Sequence, residues 1–296
     1  MSLRTKAHLA LLACSLFWGV TFVIVKDALL DISVFGYLAA RFTLGSLPLI
    51  WIYREDLRKL TRDELWACAQ VGLFMFGGYA FQTAGIARTT PSKAAFTTGL
   101  SVVLVPIFLA AIWQKKIGAW AWAGAAASFA GLYFLTVPSQ GFAGLNHGDL
   151  LVMGCAVLYA FQIIYIARYT GKYSLGAMSC SQIVITGALS AIAVPILNVT
   201  RWEPFFVRYT FRMEFGVIVT AILTTAIAYP LLVWGQCHTT ATNTALILTS
   251  EPVFAAITSF VLLHERLGGR PLAGAVLILA GICVAEWKGK VPAAES

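Results

Sequence analysis

The fold turns on two stretches, YAFQTAGIARTTPSKAAF at residues 79–96 and YPLLVWGQCHTTATNTAL at residues 229–246. The second is the first displaced by 150 positions. Tyr79 falls on Tyr229, Gly85 on Gly235, Thr89-Thr90 on Thr239-Thr240 and Ala95 on Ala245. The register then runs on without a gap. Gly118 meets Gly268, Ala123-Gly124-Ala125 meet Ala273-Gly274-Ala275, and Ala130-Gly131 meet Ala280-Gly281. Toward the N-terminus the displacement becomes 141, which sets Trp18 on Tyr159 and Arg41 on Gln182. A longer connection around 199–212 absorbs the difference. Apolar sequences align by chance when few residue types are used, but paired threonines, a tyrosine and glycines in one ungapped register go beyond that.

What repeats is a set of membrane spans. Of 296 residues, 59% are hydrophobic and 11% charged, and the mean hydropathy is +0.80. A soluble domain carries about 25% charged residues, so lipid must be part of this chain's solvent. Ten apolar segments are legible, near 9–29, 33–53, 66–86, 94–113, 119–137, 149–168, 175–197, 214–235, 243–263 and 270–287. Each is long enough to cross a bilayer as a helix. They are too long and too evenly apolar for the alternating strands of a membrane barrel. The expected fold is therefore an all-α integral membrane protein of ten transmembrane helices. It divides into a first repeat, 1–138, and a second, 139–296. Five helices per repeat is an odd number, so the two halves must be inverted in the bilayer. That is the architecture in which a midplane site is exposed to one side and then the other.

The net charge is +8. Its Lys and Arg residues sit in short runs between apolar segments, the pattern that orients a membrane protein, so nucleic acid is not the expected partner. About twelve basic residues fall on the side of the N-terminus and about eight on the other, which points to both termini being cytoplasmic. The apolar run after the basic Met1–His8 segment continues through Trp18 and Phe22 to Val25, and reads as a retained first helix. The six cysteines form no Cys-x-x-Cys pair, and the four histidines lie near helix ends without clustering. No metal, cofactor or catalytic residue is expected. No Walker A, His-Glu-x-x-His or Gly-x-Ser-x-Gly motif is present, so the chain does not read as an enzyme.

Several segments resemble a known family. Phe17-Trp18-Gly19-Val20-Thr21-Phe22-Val23 with Arg41 in the next helix resembles the opening of EamA-type members of the drug/metabolite transporter superfamily. So do Thr90-Pro91-Ser92-Lys93-Ala94-Ala95-Phe96 leading to Val105-Pro106, Glu251-Pro252-Val253-Phe254-Ala255-Ala256, and Glu265-Arg266-Leu267. The resemblance implies two inverted EamA repeats, cytoplasmic termini and a central substrate cavity, and points to bacterial inner-membrane exporters of amino acids and other metabolites. The halves differ at the centre: Ser101-Val102 stand where Glu251-Pro252 stand in the second.

Glu251 is the first candidate for the site. It lies about eight residues into its span, where an ionisable group is costly and faces a cavity or a partner. It can bind an ammonium or exchange a proton, or simply cap backbone disturbed by Pro252. Arg41, also about eight residues into its helix, can attract a carboxylate or play a structural, paired role. Trp18, Thr21 and Phe22 on the first helix, Tyr79 and Gln82 on the third, Ser101 on the fourth, Tyr159 and Gln162 on the sixth and Tyr229 on the eighth fall where a bundle interior is lined, by three- and four-residue spacing. Ordinary helix packing is the plainer account of the same spacing. Lys26, Asp27 and Asp149 sit near helix ends, and Gly124, Ser128, Ala127 and Gly131 read as small-residue helix contacts. The expected function is outward transport of small metabolites, amino acids including aromatic ones, by alternating access. The partners are a small-molecule substrate and the lipid bilayer, and the chain is a monomer or weak homodimer. Export of lipophilic cations is the main alternative, with a membrane enzyme or channel behind it. Proton exchange and flow down the substrate gradient fit equally.

Overall fold

A computed structural model describes residues 1–137, 141, 144, 146–263 and 268–288. The expected boundary at 138/139, and the Glu265-Arg266-Leu267 segment, lie outside the described residues. Among the described residues the structure is helical, with two isolated β-bridges. The first half contains α1 (Leu3–Ala28), α2 (Val34–Ile52), a short surface helix α3 (Arg54–Arg58), α4 (Arg62–Ile86), α5 (Pro91–Gly99), α6 (Ser101–Ala111) and α7 (Ala119–Thr136). The second contains α8 (His147–Tyr169), α9 (Leu175–Val199) and α10 (Phe211–Val219). α10 runs through a π-helical stretch (Thr220–Ile227) into α11 (Ala228–Gln236), followed by α12 (Ala241–Leu248), α13 (Glu251–Leu263) and α14 (Gly269–Lys288).

Six described spans are long and apolar enough to cross a membrane unaided: Leu3–Ala28, Val34–Ile52, Lys93–Ala111, His147–Tyr169, Leu175–Val199 and Phe211–Gln236. The other four of the ten crossings are α4, α7, the α12–α13 pair and α14. Leu47 on α2, Ile192 on α9, Ile222 in the π-helical stretch and Leu272 on α14 stand exposed, as lipid-facing side chains do. One end of the bundle holds the start of α1, and we call it the termini face. The opposite end is the distal face.

The repeated Thr-Thr pairs have a concrete role. Thr90 and Thr240 cap α5 and α12, their hydroxyls accepting from the backbone N–H of Lys93 and Asn243 at 3.3 and 3.1 Å. Such caps are worth about 1 kcal/mol each. Their neighbours tie helices together at opposite ends. Thr89 donates to the Asp149 carboxylate on the distal face, and Thr239 meets His8 Nε2 at 3.4 Å on the termini face. His8 and Asp149 are related by the 141-residue displacement, so the two ties are repeat mates.

α7 and α14 lie against each other at the pseudo-twofold axis. A Cβ placed on Gly131 would sit 2.6 Å from the Gly274 carbonyl oxygen, and one on Gly124 2.6 Å from that of Gly281. The displacement of 150 interchanges these two contacts, as an inverted repeat requires. The small residues expected to permit close approach are thus used within the chain.

The longer connection of the second half also has a place. Residues 200–210 fold over the distal end of α2, where Glu203 Oε1 accepts from the Val34 N–H at 2.6 Å and Ile32 bridges Val207. The adjacent Asp31 is buried and accepts from Thr210 and from the Arg212 guanidinium. The Arg212 bonds hold its carboxyl down at about 2.

A proline inside a span removes a backbone N–H and favours a break, but the helix breaks here do not fall at Pro106 or Pro195. α6 and α9 continue through Pro106 and Pro195. The interruptions fall at Leu100 and at Thr249-Ser250. There the hydroxyls of Thr249 and Ser250 bond back to the Leu246 and Ile247 carbonyls, competing with the helical ladder. Pro252 follows, with no N–H to give.

Candidate functional site

A cavity of about 90 Å³ lies in the middle of the bundle, room for several waters at about 10–15 Å³ each. All eleven side chains nominated from the sequence stand on its wall. α1 contributes Trp18, Thr21 and Phe22; α2 gives Arg41; α4 gives Tyr79 and Gln82; α8 gives Tyr159 and Gln162; α11 gives Tyr229. Ser101 and Glu251 come from the first turns of α6 and α13, which begin inside the bundle because of the breaks.

The wall follows the repeat. Eight repeat-related pairs contribute both members, among them Trp18 with Tyr159, Tyr79 with Tyr229, Gly99 with Thr249 and Ser101 with Glu251. Trp18 and Tyr229 rings are 5.6 Å apart, Tyr79 and Tyr159 also 5.6 Å, and Phe42 lies edge-on to Tyr79 at 4.8 Å. Polar groups tie this aromatic box together. Tyr229 donates to the Tyr79 hydroxyl at 3.0 Å, and Tyr159 donates to Gln82 Oε1 at 3.1 Å. Gln82 in turn donates to Thr98 at 3.3 Å.

Two charges break the symmetry. Arg41 is buried and is held by neutral groups. Its Nε donates to Thr225 Oγ1 at 3.0 Å, and its Nη2 donates to Thr224 Oγ1 at 2.8 Å and to the Tyr79 hydroxyl at 3.2 Å. Its guanidinium carbon lies 4.7 Å from the Tyr79 ring centroid and 4.9 Å from that of Phe42. No carboxylate pairs with it among the described residues. Its repeat mate, Gln182, instead accepts from Gln162 at 3.0 Å. Glu251, half-buried at the start of α13, has no hydrogen-bond or ion-pair partner among the described residues. The cavity thus holds a fixed cation and an unpartnered acid on separate elements.

The sequence reading missed Thr224 and Thr225. The π-helical stretch gives the helix extra residues per turn, and both consecutive threonine hydroxyls reach Arg41. The stretch ends just before Pro230, which lacks the N–H that the preceding turn would need. It also leaves the Thr224 carbonyl open to the Trp18 indole, which donates to it at 3.0 Å. A π-helical insertion next to a site is a recurrent functional device. The only sequence signal is the Thr-Thr pair ahead of Pro230.

Other nominated charges stand outside the cavity. Asp149 completes a capping box with Asn146 on α8 and pairs with Lys93 at 3.2 Å. Lys26 donates to the Ile86 and Thr89 carbonyls. Among the described residues no group of three or more His, Cys, Asp or Glu is placed to hold a metal.

The sequence of this chain matches the EamA-like transporter family twice, over residues 5–137 and 146–286. An uncharacterized transporter of Archaeoglobus fulgidus is 30% identical over 292 residues, covering 95% of this chain and 86% of the relative. The uncharacterized transporter YvbV of Bacillus subtilis is 24% identical, covering 97% of this chain and 93% of its own. A WAT1-related chloroplastic protein of Arabidopsis thaliana is 23% identical over 90% of this chain and 66% of its own length. A crystal structure with 20% sequence identity matches the fold at a TM-score of 0.77, covering 96% of this chain and 97% of that one.

Proposed function

The chain belongs to the EamA-like transporter family, and from that premise we propose that it carries amino acids with apolar or aromatic side chains outward across a bacterial inner membrane. The observation that carries this reading is the charge pattern of the cavity. Arg41, held only by neutral hydroxyls and rings, offers a cation to a substrate carboxylate. Glu251, without a partner, offers an anion to an ammonium. Between them the aromatic box gives an apolar wall with hydroxyl handles. A charge buried without a counter-ion is costly, and a zwitterion supplies both counter-ions at once.

The two inverted repeats support alternating access, with both termini on the cytoplasmic side. We read the chain as a carrier and not an enzyme. Its small-residue seam between α7 and α14 is consumed internally, which favours a monomer. The test is counterflow in proteoliposomes with a panel of labelled amino acids, their decarboxylated amines and lipophilic cations. Trans-stimulated exchange of apolar amino acids is expected. Exchange of lipophilic cations alone would refute the amino-acid reading and favour the cation exporter, for which Glu251 and the aromatic box are the supporting features.

A further inference from the structure

Apart from its two charges, the cavity wall follows the repeat around its middle but not at its ends. Toward the distal face it includes Val25, Thr83, Ile86 and Ala95. Their repeat mates toward the termini face are Ile166, Val233, Gln236 and Ala245, and none of them lines the cavity. All four are buried, with 2% or less of their surface exposed; of their distal mates, Thr83 and Ile86 are buried as well and Val25 and Ala95 are 7% exposed. The helix contacts agree. At the termini face α12 packs closely on α6 and α8, whereas at the distal face its mate α5 packs more loosely on α13 and α1. Ala245 joins Val105, Ala160, Ile163 and Ile164 in one apolar cluster there.

The seal at the termini face has an unusual composition. Gln236 donates through Nε2 to the Ile163 carbonyl at 3.2 Å, joining α11 to α8. Its Oε1 has no partner, and neither has the Thr244 hydroxyl, both being buried. The first repeat has the apolar Ile86 and Ala94 at these two positions. A buried polar atom without a partner destabilises the state that buries it. It is relieved when water reaches it.

We infer that α12 and the end of α11 form a gate at the termini face, shut in this conformer. Gln236 and Thr244 keep that gate openable by making its closed state imperfect. This rests on the alternating-access reading. In the other conformer the repeats exchange roles: Ile166, Gln236 and Ala245 line the cavity, while Val25, Ile86 and Ala95 pack together. The orphaned polar atoms set the balance, because water satisfies them only when the gate is open.

The experiment uses single cysteines at Ala245 and, separately, at Ala95. The background carries Cys237→Ser and Cys283→Ser, because both thiols are exposed, whereas Cys14, Cys68, Cys155 and Cys180 are buried. In detergent both faces are open to a maleimide, so labelling rate reports the gate and not sidedness. Without substrate, Ala95→Cys should label several-fold faster than Ala245→Cys. A transported amino acid should raise labelling at 245. Gln236→Leu and Thr244→Val, made separately, should each slow labelling at 245 and lower the counterflow rate about tenfold, with substrate affinity unchanged. Either variant suffices if the other fails to fold. Normal counterflow with position 245 never labelled would overturn the gate and leave the carrier standing. Flux without trans-stimulation would overturn the carrier, and the gate with it.

Discussion

Arg41→Met separates a substrate anchor from a structural cation, because loss of an anchor lowers affinity for the carboxylate whereas loss of a structural cation lowers stability. The methionine keeps an apolar stem against Phe42 and Tyr79 but removes the charge. If Arg41 takes the substrate carboxylate, truncation removes one partner of a desolvated charge pair, which costs about 2–5 kcal/mol. At about 1.4 kcal/mol per tenfold, affinity for the zwitterion falls by roughly 30- to 4,000-fold. The decarboxylated amine, which never used the guanidinium, loses little. Stability should not fall in parallel. The three hydrogen bonds lost are worth about 1.5–3 kcal/mol each. Against them stands the dehydration of an unpaired ion, which costs several kcal/mol. The freed Thr224 hydroxyl keeps its bond to the Thr220 carbonyl at 2.7 Å. Counterflow gives the ratio of zwitterion to amine affinity, and a thermal melt in detergent gives stability. A steep drop in melting temperature with an unchanged ratio would refute the anchor and make Arg41 a structural residue.

Three further perturbations test other parts of the account. Thr225→Val or Thr224→Ala should weaken zwitterion affinity about tenfold, the worth of one charge-assisted bond, while serine at either position restores it; equal loss for the amine analogue would show general distortion instead. For Asp31→Asn the sign follows from a folded value of about 2 against an unfolded value near 3.9: the carboxylate stabilises fully above about pH 4 and loses that contribution as pH falls toward 2. Wild type should therefore melt above the variant at pH 7 and converge with it near pH 2, and a gap that persists in acid would sink this assignment. Gly131→Val should destabilise by at least about 1–3 kcal/mol through overpacking against α14, whereas Gly269→Ala, in the first turn of α14 where nothing lies within 4 Å, should not lower the melting temperature.

Much of the fold is legible in the sequence because the bilayer simplifies it. Span length and apolar continuity fix the crossings, and an odd count per repeat fixes their inversion. The site was legible for the same reason. An ionisable residue at mid-span, as at Arg41 and Glu251, has few places to go, and three-residue spacing puts Tyr79 with Gln82 and Tyr159 with Gln162. What could not be read was local backbone geometry. The break at Leu100 carries no sequence signature and the π-helical stretch only the Thr-Thr pair ahead of Pro230, while the break at Thr249-Ser250 has hydroxyls competing for helix carbonyls. Thr and Ser make such bonds in regular helices as well, as Ser190 does to the Thr186 carbonyl at 2.7 Å. Pro106 and Pro195 leave their helices continuous, because neighbouring helices can absorb a missing N–H without a break.

The repeat and its violations together say more than either alone. A cavity built from eight symmetric pairs has no reason to prefer one orientation of a dipolar molecule over its reverse. Here the first repeat contributes Arg41 where the second has Gln182, and the second contributes Glu251 where the first has Ser101. These two departures are of opposite sign and fall at positions the repeat does not relate. Under the proposed alternating access the symmetric framework would exchange its two ends, while the charges travel with their own helices. In the proposed cycle a zwitterion keeps the same two partners whichever end is open, so neither charge is stranded without a counter-ion as the gates exchange. A transporter with Arg and Glu at symmetry-related sites would gain nothing from that arrangement, because the exchange would swap the environments of its two charges. In that proposed cycle the asymmetry at the centre would fix the substrate's orientation, and the symmetry of the walls would let the site face either side.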